Sequence, residues 1–429
     1  MARYLFVFVC TIFFSSLAFA QTAEPEELQF LIIEALTKNP DIAGEIYRMQ
    51  MFEQKITQAG ALDDPRLTFK LMEIPGFKTG EAMFANLELM QMIRFPTKLS
   101  TQRAIAGVQA EHAHHDHIEK ELSIIAELKS VYAMLWYART ALDLNRENQR
   151  LAEQIVRIAQ ARYAVAGASQ QDVLKTNIEL ARLKTKEASL QQEVTTAESM
   201  MRAILNRPAT AAIGAIELEP LDTLQLSLGD LLAYGFANRP MLLHDSLSVQ
   251  ERDLMLSLSR QEYIPDLNLS LEYVTSPMLG LKQWSFMVGI SIPWAPWTLG
   301  KASARVQEAQ ADRSMSVANF QSTKNMIHAK VREQHAALKA YETELLYYEK
   351  TILPQTKQSL QALMAEYQTG SASYLMLLDT YRMYQEMSTD AAMARMRYEQ
   401  ARARLEREVG VTDLRVIPSL DQKSSNEKQ

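Results

Sequence analysis

The sequence predicts a mainly α-helical chain that is internally duplicated, with one β-hairpin in each copy. Helix is favoured because the 429 residues contain only 14 glycines and 14 prolines, and because residues 97–166 and 301–353 contain no proline. Strands are predicted where apolar and polar residues alternate in four short segments. The duplication is predicted by prolines that recur at a fixed offset between the two halves.

The first twenty residues have the layout of a secretory signal peptide (1–20). Arg3 precedes an apolar stretch from Leu5 to Phe14, and small residues close the segment at Ala18-Phe19-Ala20. Cleavage is expected after Ala20. The alternative is an uncleaved anchor, but the apolar run is well below the ~20 residues that span a bilayer. The only cysteine, Cys10, lies inside this signal, so the mature chain is predicted to have no disulfide and no thiolate metal site.

Charge and motifs exclude several classes of function. The formal net charge is −6, which gives no sign of nucleic-acid binding. The sequence has no P-loop, no His-Glu-x-x-His, no Gly-x-Ser-x-Gly and no Gly-x-Gly-x-x-Gly motif. We therefore predict that the protein is not an enzyme and that it needs no cofactor.

The duplication is visible in the prolines. Three prolines of the first half recur 200 positions later, as Pro40 and Pro240, Pro65 and Pro265, and Pro96 and Pro296. Further along, Tyr163 with Gly167 resembles Tyr367 with Gly370, which is shifted by only three or four more residues. A period this long indicates two copies of one unit and not a solenoid.

Each copy begins with a helical segment and continues into a β-hairpin. Apolar residues fall at helical spacing from Leu28 to Gln58 and again from Leu228 to Gln261. We therefore predict an N-terminal helical segment at 21–64, and a linker with the second-repeat helix at 207–264. Alternating residues then predict hairpins at 65–95 and 265–295, with turns at Pro75-Gly76 and from Pro277 to Gly280.

The predicted strands run roughly ten residues each, the length of a tilted membrane strand. One face is apolar and the other carries Glu88 and Glu272, so water is expected on the second face. Trp284, Trp294 and Trp297 lie at or just beyond the ends of the last strand, as membrane-interface aromatics do. The alternative interpretation is a hairpin of a soluble sandwich.

After each hairpin the pattern predicts a long helical hairpin, over residues 96–206 and 296–410. Apolar residues recur at spacings of three and four, which is typical of a coiled-coil seam. Gly167 and Gly370 are predicted to allow the two reversals, and Pro354 is predicted to kink its helix. Residues 411–429 are expected to form a disordered tail.

Four strands cannot close a barrel, and an open sheet would leave unpaired backbone groups in lipid. The chain is therefore predicted to oligomerise, and three copies would supply twelve strands around a polar lumen. The order of helix, hairpin, long helix, Tyr-and-Gly turn and returning helix, given twice behind a signal peptide, resembles the TolC family of outer-membrane efflux proteins.

This resemblance implies a homotrimer with a twelve-stranded barrel in outer-membrane lipid and a long α-helical periplasmic tunnel. It also implies docking to a periplasmic adaptor (membrane fusion) protein and to an inner-membrane efflux pump, of the RND type. The protein would then be a passive exit duct of a tripartite efflux system. The alternative is a soluble periplasmic coiled-coil adaptor or a metal-binding scaffold, which would leave the alternating hairpins unexplained.

The resemblance also suggests gating residues. Family channels close their tunnel with polar links between the two coiled coils and with inward rings of acid after the second helical turn. Tyr367, three before Gly370, and Asp379, nine after it, match that pattern. Met376 and Ala372 stand where the family often has a second acid and an arginine, so the closing network must differ.

In the first copy Tyr163, Gly167 and Asp172 occupy comparable places, although a solvated helix surface explains Asp172 equally well. Three Asp379 side chains on one axis would attract cations and repel anions. The alternative for Asp379 is an ordinary surface carboxylate.

Four of the seven histidines fall close together in the first long helix, namely His112, His114, His115 and His117. Residues three apart on a helix share a face, so the pairs 112/115 and 114/117 are candidate metal ligands. The alternative is a solvated, pH-sensitive helix surface. Together with the 22 methionines, this cluster makes heavy-metal efflux more attractive than drug or protein export.

Overall fold

The structure is a computed structural model, and it describes residues 27–72, 84–221, 225–276 and 279–417. The predicted signal peptide, the turn at Pro75-Gly76, Pro277 and the end of the predicted tail lie outside these residues. Within the described part of the chain, no helix is long and apolar enough to cross a membrane.

The two copies repeat one order of elements. The first copy consists of α1 (Leu28–Lys38), α2 (Pro40–Ala59), β1 (Arg66–Met72), β2 (Phe84–Ile93), α3 (Pro96–Ala164) and α4 (Gln170–Ile204). The second consists of α5 (Leu228–Asn238), α6 (Pro240–Gln261), β3 (Leu267–Ser276), β4 (Leu281–Ile290), α7 (Leu299–Tyr347), α8 (Leu353–Thr369) and α9 (Tyr374–Val409). Prolines at the recurring positions begin α2, α3 and α6, where the first turn needs no backbone N–H donor.

The two hairpins form one antiparallel sheet in the order β1-β2-β3-β4. The central pair, β2 and β3, joins the two copies, and β1 and β4 are its edges. One face of the sheet is apolar and exposed, with Phe69 64%, Trp284 70% and Phe286 69% accessible. The opposite face is polar, and on it Asn86 and Ser270 are only 5% and 4% accessible. The polar face is thus covered at the central strands β2 and β3, and the apolar face is presented outward.

The position of one tryptophan differs from the prediction. Trp284 lies inside β4, as the fourth residue of that strand, and pairs with Tyr273 of β3 at a ring-centroid distance of 4.8 Å. The alternating pattern alone places this strand a few residues later. Trp294 and Trp297 follow β4 and are 49% and 84% accessible.

Three apolar cores hold the helices together. The first, around Leu135, packs α3 and α4 of the first copy against α1. The second, around Leu231, packs α5, α7 and α9 of the second copy. The third, around Leu377, joins the long hairpins of both copies near their turns. The third core therefore fixes one hairpin against the other far from the sheet.

The proline in the second long hairpin is accommodated by a π-helical turn. Residues Tyr348–Ile352 form this turn, and Pro354 follows near the start of α8. Proline has no N–H to donate, and its ring clashes with the carbonyl four residues earlier, so a wider turn at this point relieves both defects.

The segment just after α9 is ordered, contrary to the prediction. Residues 414–416 form a 3₁₀ turn, and Val411, Leu414 and Ile417 are buried in the second core. The prediction of a disordered tail from residue 411 is therefore wrong for residues 411–417. The segment is ordered because these three apolar side chains pack on helices that lie far away in the sequence.

The reversals at the two long hairpins use different residues. Gly370 has φ +91° and ends α8 in the left-handed region, as predicted. In the first hairpin the left-handed residue is Ala166, with φ +55°, and not Gly167. Gly167 lies in the reversal between α3 and α4, as predicted, while its neighbour Ala166 takes the positive φ.

We expect Gly370→Ala to destabilise the protein by about 1–2 kcal/mol, since a side chain in the left-handed region costs about this much. The new Cβ would also lie 3.3 Å from the Arg162 guanidinium. Gly167→Ala is the matched control and should cost less than about 0.5 kcal/mol. Thermal unfolding followed by circular dichroism measures both. Equal losses in the two variants would contradict this assignment of the turns.

Candidate functional site

The turns of the two long hairpins are bound to each other through Arg162. Its guanidinium donates to the carbonyl oxygen of Tyr367 at 2.7 Å and to that of Gly167 at 2.6 Å. The same group stacks on the Tyr367 ring at 4.5 Å from the centroid. A side chain of the first copy therefore holds the turn of the second copy.

Three tyrosines seven residues apart line the seam between the hairpins. Tyr367, Tyr374 and Tyr381 are 1%, 5% and 1% accessible. The hydroxyls of Tyr374 and Thr176 are hydrogen-bonded at 2.9 Å, and the Tyr381 hydroxyl donates to the carbonyl of Asn148 at 2.8 Å. Each bond joins α9 to a helix of the first copy.

Burial raises the pKa of all three phenols above its usual value. The charge of the nearby Asp172 raises the pKa of Tyr367 further. The tyrosines therefore stay neutral throughout the physiological range, and Tyr381 keeps the hydroxyl proton that it donates to Asn148.

An ion pair completes the seam. Glu179 of α4 is only 4% accessible, and its carboxylate lies 2.7 Å from the Arg382 guanidinium of α9. The hydrogen bond to Glu179 raises the pKa of Arg382. Arg182, one turn further along α4, reaches the same carboxylate at 3.4 Å. Leaving a buried charge without a partner is costly, so the ion pair links α4 to α9.

The predicted gating residues divide into three groups. Tyr367 and Gly167 accept hydrogen bonds from Arg162, and Gly370 lies in the turn beside its guanidinium. Asp172 is mainly a helix cap, because its carboxylate accepts a bond from the Ser169 hydroxyl at 2.8 Å while the Ser169 side chain caps α4. Tyr163 and Met376 are 50% and 57% accessible.

Asp379 is also exposed in the single chain. Its charge helps to raise the pKa of Arg382, the seam residue three positions further along α9. Its role in an acidic ring stays a prediction.

Sequence reasoning missed several residues of the seam: Arg162, Thr176, Glu179, Tyr374, Tyr381 and Arg382. One signal was present, because positions 367, 374 and 381 are all tyrosine at heptad spacing. The ion pair had no such signal, since charged residues occur on every turn of these helices.

The four predicted histidine ligands all lie on α3, in its half nearer the sheet. The structure brings His112 against His244 of α6, with ring centroids 4.3 Å apart, and places its Nε2 atom 3.4 Å from a Glu251 carboxylate oxygen. His117 faces Glu121 on its own helix at 3.3 Å. The main contact of this cluster is thus with the second copy and not within the predicted pairs.

Burial and the neighbouring His114 lower the pKa of His115, so that imidazole favours its neutral form. Across the described residues, no three histidine, cysteine, aspartate or glutamate side chains are arranged to hold a metal ion. The metal site at His112, His114, His115 and His117 stays a prediction.

An exposed apolar sheet face and two long helical hairpins tied at their turns define a class of protein, the outer-membrane channels with a helical extension. The family model described as outer membrane efflux protein matches residues 31–207 and 236–411. The chain belongs to this family, which is a family of channels. It is an exit duct of an efflux system, with its barrel part in the outer membrane and its long helices in the periplasm. The comparisons do not support the soluble adaptor alternative.

Solved structures agree in fold. The outer-membrane channel OprN is 17% identical, with a TM-score of 0.76 over 89% of each chain. VceC of Vibrio cholerae is 17% identical, with a TM-score of 0.75 over 90% of this chain and 96% of its own. MtrE of Neisseria gonorrhoeae, solved in its open state, is 17% identical, with a TM-score of 0.74 over 90% of this chain and 89% of its own. No curated protein sequence matches the chain.

Proposed function

We propose that three copies of this chain form a passive duct whose periplasmic end is closed by the seam between the two long hairpins. The observation that supports this trimer is the sheet, whose edge strands β1 and β4 flank an exposed apolar face. In lipid, unpaired edge groups cost several kcal/mol each, so β4 of one chain must pair with β1 of the next. Three chains then supply the twelve strands of a closed barrel.

In this assembly residues 65–95 and 265–295 form the barrel, and residues 96–206 and 296–410 form the tunnel. The polar face with Glu88 and Glu272 lines the lumen. The duct catalyses no reaction and binds no cofactor. The energy for export comes from an inner-membrane pump of the RND type. A periplasmic adaptor connects that pump to the turns around Gly167 and Gly370.

The seam supports a gate at the tunnel end. Arg162 and the Glu179–Arg382 pair tie the second hairpin to the first within one chain, near the turns. Opening requires the second hairpin to move away from the first, which breaks these bonds. The open state in which MtrE was solved supports a duct of this fold that adopts more than one state.

Cell fractionation, sizing in mild detergent and single-channel recording test this proposal together. We expect a trimer in the outer-membrane fraction, with small, cation-preferring conductance in planar bilayers. A soluble periplasmic monomer would overturn the duct and favour an adaptor.

The proposed cargo is metal cations, on the basis of the histidine cluster. Deleting the gene should then raise sensitivity to copper, zinc or nickel salts by several fold and leave sensitivity to drugs and detergents unchanged. The reverse pattern would exclude metal cargo while leaving the duct intact.

A further inference from the structure

Four polar side chains form one row across the polar face of the sheet. The register pairs Thr68 with Glu88, Glu88 with Glu272, and Glu272 with Ser285. Directly paired residues of antiparallel strands project to the same face. The two carboxylates are therefore neighbours on β2 and β3, where the two copies of the duplicated unit meet.

Two carboxylates on directly paired residues need a compensating positive charge. Side chains directly opposite on adjacent strands have Cβ atoms about 4.5–5.5 Å apart, and like charges there are destabilising. Within the described residues neither carboxylate forms an ion pair. The cation nearest in register on this face is Lys70, which pairs with Asn86, one row further along the strand.

The groups around the two carboxylates supply only part of the hydrogen bonds and positive charge that these carboxylates need. The Ser270 hydroxyl donates to Glu88 at 2.9 Å, and the Asn86 amide nitrogen donates to Glu272. Asn86 is 95% buried, being 5% accessible, yet its amide oxygen has no hydrogen-bond partner. A buried acceptor beside two carboxylates lacks a donor or a cation.

The atoms in this layer are all oxygens apart from the amide nitrogen. Hard cations such as Ca²⁺ and Mg²⁺ take carboxylate and amide oxygens with water, whereas copper, zinc and nickel favour imidazole or sulfur. The row has neither imidazole nor thiol, so its chemistry differs from that of the histidine cluster on α3.

We propose that Glu88, Glu272 and the amide oxygen of Asn86 bind Ca²⁺ or Mg²⁺ inside the barrel. The inference rests on the proposed trimer, in which three such sites stand at one level of the lumen. Water in the lumen completes each coordination shell. Bound divalent cations stabilise β2 against β3, and they neutralise the acidic charge at this level of the lumen. Affinity is expected at about 0.1–1 mM, as in extracellular calcium modules.

Two measurements on the full-length, detergent-purified protein test the site. Calorimetric titration with CaCl2 should show binding near one ion per chain for the wild type, and at least tenfold weaker binding for Glu88→Gln and Glu272→Gln. Planar-bilayer recording should show that millimolar Ca²⁺ added on the barrel side reduces K⁺ current, and that Glu272→Gln removes this effect. Glu53→Gln, an exposed carboxylate on α2, is the control and should behave as wild type.

The outcomes separate the site from the duct. If the Glu88→Gln/Glu272→Gln double variant conducts and its current still responds to Ca²⁺, the proposed site is wrong and the proposed duct is unaffected. Calcium binding lost in both single variants supports the site even if no conductance is recorded, and the missing conductance would then count against the duct alone. A wild type that binds no Ca²⁺ or Mg²⁺ at 10 mM overturns the site directly.

Discussion

Replacing Phe286 with arginine is expected to abolish assembly of the channel in the outer membrane. Phe286 lies in the middle of β4 on the exposed apolar face and is 69% accessible. An arginine on the lipid face near the bilayer midplane costs about 2–4 kcal/mol. Three chains multiply this to about 6–12 kcal/mol per barrel, which is comparable with the whole stability of a typical domain.

The neighbouring residue provides a matched control. Met287 follows Phe286 in the strand and projects to the opposite face, where it pairs with Ser270. Met287→Arg introduces the same charge on the water side and should retain the outer-membrane trimer. Both variants are measured by fractionation and by the trimer band in mild detergent. Loss of the trimer in Met287→Arg together with its retention in Phe286→Arg would reverse the assignment of the two faces.

Replacing Arg162 with alanine is expected to open the duct. The change removes two charge-assisted hydrogen bonds to the carbonyls of Tyr367 and Gly167, together with the stacking on the Tyr367 ring. Bonds to charged groups contribute about 1.5–3 kcal/mol each, and partial access of water to the turn lowers that value. We expect a loss of about 2 kcal/mol per chain, which is a factor of about 30 in the closed-to-open ratio.

Single-channel recording measures this shift as a rise in open probability. Arg157→Ala is the control, since Arg157 is exposed on the same helix. Arg162→Lys should show most of the effect of alanine, because an ammonium cannot bond both carbonyls in one fork. If Arg162→Ala conducts as wild type does, the turn contact is structural and does not gate the channel.

Local signals in the sequence were sufficient to predict the helices and strands. Prolines at a fixed offset established the duplication, and the structure begins three helices at them. Alternation located the sheet and its apolar face, because side chains on a strand change face at every residue. The family resemblance predicted that the protein is a duct, and the family model matches the same two repeats.

The structure differs from the prediction at Trp284, which lies inside its strand, and at residues 411–417, which pack on the second core. For residues 411–417 the deciding contact comes from another part of the chain. A window of local sequence does not contain that contact.

The sequence by itself determined the duplicated order of helices and strands, the amphipathic faces and the membership of a channel family. Only the tertiary structure decided which residues of the two copies meet. Arg162 contacts Tyr367 across 205 positions, Glu179 contacts Arg382 across 203, and Glu88 faces Glu272 in register. Periodicity records which face of an element is buried, whereas the partner on the other side depends on how whole helices and strands slide to fill a common core.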